Sequence, residues 1–143
     1  MLARSNTRRS LGMNQNSQAD LGKLVLRVAL GLLVLLHGIA KLRGGVGPIT
    51  GMVIAHGWPA WAAYGVLVGE VVGPLMLLAG FYARIGAMLI AIDMVFAIAL
   101  VHMGQLTQLN AQGGWALELQ GMYLATALAL TLLGPGRYSA NGR

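Results

Sequence analysis

Apolar residues fill four long runs of the chain, and polar residues collect in the breaks between them and at the two ends. The runs cover 21–41, 60–82, 84–103 and 115–133. Each has about the 20 residues that a helix of 1.5 Å rise needs to cross a bilayer. Hydrophobicity continues round each run instead of forming one stripe, which argues against a water-soluble bundle. The pattern predicts an all-α fold: an integral membrane four-helix bundle forming one domain over 20–134. Tyr82-Ala83-Arg84 joins the second and third runs so tightly that they must form an antiparallel hairpin.

The ends read differently. Residues 1–19 are polar and basic without periodicity, which predicts a disordered basic cytoplasmic tail. Asp20 is placed to cap the first helix. Residues 135–143 form a short cytoplasmic C-terminal tail. Thr7-Arg8-Arg9-Ser10-Leu11 faintly resembles a twin-arginine export signal, but no small-residue cleavage site follows it.

Composition strengthens the membrane reading. Of 143 residues, 57% are hydrophobic and only 10% charged, against about a quarter charged in soluble domains. Cysteine is absent, so disulfides, thiolate metal sites and dithiol relays are excluded. The net charge of +6 is spread over tails and helix ends, which is no nucleic-acid patch. With the N-terminus inside, Arg4, Arg8, Arg9, Lys23, Arg84, Arg137 and Arg143 fall on the cytoplasmic side. The outer loops then hold only Lys41 and Arg43, so both termini are placed in the cytoplasm. Trp58, Trp61 and Trp115 fit an outer interfacial belt, and Tyr82 and Tyr138 an inner one. The expected location is a bacterial inner membrane, crossed several times, with the lipid bilayer as first partner.

Three of the four acids, Glu70, Asp93 and Glu118, lie in these spans. An ionised acid at the bilayer centre costs about 3 kcal/mol by insertion scales, so each is a candidate for function or for helix pairing. On the first helix Arg27, Gly31, Val34, Gly38 and Lys41 share a stripe, with His37 beside it. On the second, Glu70 shares a face with Gly73 and Pro74. Gly65, Gly69 and Gly73 form an adjoining small-residue ridge, suited to packing within the chain or to a homo-oligomer. Pro74 lacks an N–H, which frees the carbonyl of Glu70 towards a proton, a water or a ligand group. Glu70 lies about 15 Å and His37 about 6 Å below the outer surface at 1.5 Å per residue. They lean towards each other, and a His37–Glu70 contact is expected. Arg27 and Asp93, at matching depth, are the candidate structural pair. His102 is placed to meet Glu118 in an outer-leaflet cluster.

Two histidines on separate helices invite a haem reading. The spacings that support haem or a metal site are missing, so cross-helix hydrogen bonding is preferred and no metal is expected.

Several segments together resemble the DoxX family of small four-helix bacterial membrane proteins, over about 21–140. They are Arg27…Gly31…His37-Gly38-Ile39-Ala40-Lys41-Leu42, then Glu70 before Gly80-Phe81-Tyr82-Ala83-Arg84, and Val101-His102. Gly113-Gly114-Trp115…Glu118 and Leu133-Gly134-Pro135-Gly136-Arg137-Tyr138-Ser139 complete the set. The chain departs from the family at Ala116, in the loop after His102, and at Ser139-Ala140-Asn141. Asp93 matches no family feature.

The resemblance implies a membrane or quinone-interacting subunit of an oxidoreductase complex, linked to thiosulfate oxidation or oxidative-stress defence. Quinone is then the candidate ligand, other oxidoreductase subunits are the partners, and Glu70, His37 and Lys41 handle protons. Two rival readings stand beside it: a small proton-coupled transporter or channel, and a structural membrane partner without chemistry of its own.

Overall fold

The computed structural model describes residues 3–142, with side chains from Gln15 onward. Five helices follow in order: α1 Ala3–Gly44, α2 Gly47–Ala55, α3 Ala60–Ala79, α4 Ala83–Gln105 and α5 Glu118–Leu133. No strand forms among the described residues, as the all-α reading expects. Stretches of three helices are long and apolar enough to cross a membrane: Gln15–Gly44, Ala60–Ala79 and Ala83–Gln105. The fourth, α5, is apolar but has 16 residues, about 24 Å of helix.

The first helix starts at Ala3 and runs through the segment for which a disordered tail was expected. Its apolar window opens only at Gln15. The short helix α2 lies in what the apolar pattern leaves as a loop. Val46-Gly47-Pro48 starts it, with proline in its first turn, where a missing N–H costs nothing.

The main core forms where α1, α3, α4 and α5 meet. Leu30 and Val34 of α1 pack with Leu77, Ile90, Met94, Tyr123, Ala127 and Leu130. A smaller cluster under α2 joins Val46, Val53 and Ala63. The outward faces stay apolar, with Leu36, Met122 and Leu132 among the most exposed. Such a surface is suited to lipid and not to water.

Glycines set the closest helix approaches. A Cβ on Gly73 would meet the Gly86 carbonyl, and one on Gly86 the Gly73 carbonyl. The α3–α4 pair is therefore backbone against backbone, as small residues permit. Gly69 is covered by the Asp93 side chain, whereas Gly65 has open space around it. Two members of the ridge thus pack inside the chain and the third does not.

The hairpin between α3 and α4 turns on Gly80 (φ 67°) and on Tyr82, a non-glycine residue at φ 46°. The strained Tyr82 is held by its own N–H, which donates to Asn141 Oδ1 at 3.1 Å. The Ala140 N–H donates to the Gly80 carbonyl at 3.0 Å. The segment after α5 is thereby stitched onto the hairpin.

Candidate functional site

The site starts from an irregularity in α3. Pro74 cannot donate to the carbonyl of Glu70, so the regular ladder fails there. Val68–Val72 forms a π-helical turn with Glu70 at its centre. A second π turn, Ile98–His102, occurs in α4. Such turns are rare and recur at functional sites because they re-aim side chains. The freed Glu70 carbonyl is not left open. It lies against Gly38 of α1, so closely that a Cβ there would collide with it.

The Glu70 side chain points to α1. Lys41 Nζ donates to both of its carboxylate oxygens, at 2.6 and 2.5 Å. The Glu70 side chain is 7% exposed and that of Lys41 26%. A buried carboxylate needs such a partner, since an unpaired charge in the interior costs several kcal/mol.

Beside this pair lies a cavity of about 630 Å³, within the range of small-molecule sites. Its walls are largely apolar, with Met52, Trp58 and Phe96 among them. Its polar edge comprises Lys41, Glu70, His37, Asp93, His102 and Gln120, and Tyr123 adds a phenol. Trp58 packs edge-on against Phe96, with centroids 5.7 Å apart. Helix α2 contributes Met52 and Val53, so the loop helix closes part of the site.

Several expected pairings take a different form. His37 lines the same cavity as Glu70 but does not bond to it; its ring meets Tyr123 edge-on, centroids 6.1 Å apart. Lys41 takes the place expected for His37. Arg27 and Asp93 do not pair. The Arg27 guanidinium is fully buried and donates to three backbone carbonyls: Leu77 (3.0 Å), Pro135 (2.9 Å) and Tyr138 (2.9 Å). These carbonyls lie at a helix end and in a glycine-rich turn; that of Leu77 also accepts from the Gly80 N–H at 3.2 Å. Asp93 is 8% exposed, and its Oδ2 has no hydrogen-bond partner among the described residues.

His102 and Glu118 also separate. His102 Nδ1 lies 2.9 Å from Gln105 Oε1, and its Nε2 lies 3.4 Å from Gln120 Nε2. Glu118 is exposed, with its carboxylate against Gly114 and near the Asn110 side chain. The outer cluster therefore does not form. Gln120 and Tyr123 are site residues absent from the sequence candidates. A signal existed, because a glutamine in an apolar run shares a helix face with the residue three positions on.

The family model for DoxX matches residues 22–103. A Bacillus subtilis (strain 168) protein named "Putative oxidoreductase CatD" is 30% identical over 110 residues, covering 77% of this chain and 81% of that protein. An uncharacterized protein of Haemophilus influenzae is 31% identical over 114 residues, covering 78% and 81%. No solved structure matches the chain. The chain belongs to the DoxX family and is a multi-pass membrane protein.

Proposed function

From that family membership, we propose that this protein is the quinone-interacting membrane subunit of an oxidoreductase complex. It crosses the bacterial inner membrane four times, with both termini in the cytoplasm. The observation that carries the reading is the cavity of about 630 Å³, with apolar walls and a Lys41–Glu70 ion pair at its edge. Apolar walls suit a ring with an aliphatic tail, and the few convergent polar groups suit its oxygens. The name of the Bacillus subtilis relative supports the oxidoreductase setting.

The chain's own residues then have distinct tasks. Lys41 neutralises negative charge at the cavity edge and holds Glu70 in place. Glu70 and His37 exchange protons with the cavity, as carboxylate and imidazole groups do in membrane relays. A quinone, when bound, would carry the electrons, and because the chain has no cysteine their donor would be a bound cofactor or a partner subunit. Thiosulfate oxidation and oxidative-stress defence are the two settings in which such a subunit would work.

Gentle purification from native membranes, with an absorbance spectrum and identification of co-purifying proteins, tests the proposal. The expected result is a bound quinone and redox partners. Absence of quinone binding, together with no redox defect in membranes lacking the protein, would overturn it. A pH-driven flux in proteoliposomes abolished by Glu70→Gln would instead favour a transporter.

A further inference from the structure

In the Lys41–Glu70 pair both carboxylate oxygens already have a hydrogen-bond partner, a single ammonium. The other acid of the cavity wall is not. Asp93 Oδ2 is the one buried side-chain polar atom without a hydrogen-bond partner among the described residues. A native interior rarely tolerates this, because an unmade hydrogen bond at a buried polar group costs about 1–3 kcal/mol.

The position offers no cheap relief. The Asp93 Cβ and Cγ rest on Gly69, whose missing side chain makes the room. Arg27, the cation at comparable depth, is fully committed to backbone carbonyls. The freedom that remains is about Cβ–Cγ, a torsion with a broad energy well. A small turn there presents the carboxyl to the cavity that Asp93 helps to line.

We infer that Asp93, not Glu70, makes the hydrogen bond that seats the polar head of the cavity's ligand. The ligand class is an apolar molecule of ring size carrying a carbonyl or hydroxyl at one edge. A carboxyl group serves either kind of oxygen, donating when protonated and accepting when ionised. Gly69 belongs to the same device, since any larger residue would push Asp93 out of its seat. This inference rests on the quinone reading of the cavity.

The test uses full-length protein purified in detergent and a benzoquinone with a decyl tail as probe, titrated calorimetrically. Asp93→Leu is expected to weaken binding by about tenfold or more, the loss of one buried hydrogen bond. Asp93→Asn keeps the hydrogen-bonding capacity and should stay within about threefold of the unmodified protein. Infrared difference spectra of the unmodified protein supply a second readout that needs no leucine variant to fold. A carboxyl band that shifts on adding the probe, and is absent in Asp93→Asn, is expected. Binding by Asp93→Leu at full strength, or a carboxyl band unmoved by bound probe, would overturn the role of Asp93 while leaving the cavity reading intact. No binding by the unmodified protein would remove both.

Discussion

Lys41 and Glu70, 29 positions apart, join the cavity edge of α1 to the π turn of α3 through a single ammonium that meets both carboxylate oxygens. The arrangement makes each residue a condition for burying the other. Removing one partner of a buried pair typically costs about 3–5 kcal/mol, whereas replacing both by apolar residues is often near neutral. Lys41→Met and Glu70→Leu should each lower the thermal midpoint in detergent, Glu70→Leu less because the Lys41 it leaves unpaired is partly exposed. The double variant should recover much of the loss. Additive losses in the double-mutant cycle would show that the pair is not coupled.

Arg27 gives a second prediction. Arg27→Met takes the donor from the Pro135 and Tyr138 carbonyls, while that of Leu77 keeps the Gly80 N–H, so a loss of about 1–3 kcal/mol is expected from the buried Pro135 carbonyl. Arg27→Lys retains the charge but not the planar fork, so it should fall in between. Limited proteolysis should then cut within 135–142 in the methionine variant and spare the unmodified chain. Equal protection in both would refute the link between Arg27 and the C-terminal segment.

The glycines predict opposite signs. Gly38→Ala drives a Cβ into the Glu70 carbonyl, an unyielding backbone atom, and overpacking of this kind costs about 1–3 kcal/mol. Gly65 has nothing within reach and a right-handed helical φ of −57°. Gly65→Ala should therefore be neutral or stabilising by up to about 1 kcal/mol. Thermal unfolding of the two variants side by side decides the matter, and a matching drop in both would contradict the packing described.

Trp58 is a built-in reporter. It lines the cavity and rests edge-on against Phe96, so a bound quinone ring should quench its emission. Trp58→Phe should abolish most of the quenching while calorimetric binding persists. Quenching that survives the substitution would place the ring elsewhere.

Much of this architecture was legible in the sequence, because bilayer-length apolar runs leave few alternatives to helices. Lys41, Glu70, His37 and Arg27 stood out for the same reason, as costly groups in apolar surroundings. Their partners were harder to read. Phase counting at 3.6 residues per turn fails across a π turn, and Glu70 sits inside one. A lysine side chain also spans the distance that a histidine cannot. The Arg27–Asp93 pairing failed for another reason. Depth alone made an acid seem the natural partner, yet the Gly134-Pro135-Gly136 turn presents backbone acceptors to the same guanidinium. The loop helix α2 left no periodic trace, since Gly47–Ala55 is apolar without a dominant face.

The reach of Arg27 bears on how the protein is made. Its acceptors Pro135 and Tyr138 lie 108 and 111 positions further along the chain. As the ribosome delivers the helices in order, Arg27 enters the bilayer long before those carbonyls exist. An uncompensated guanidinium there is costly and tends to stay near the water interface. The full set of Arg27 hydrogen bonds is therefore complete only once the segment after α5 arrives. A nascent chain halted before Pro135 would keep the bond from Arg27 Nε to the Leu77 carbonyl but lack both acceptors of its Nη1.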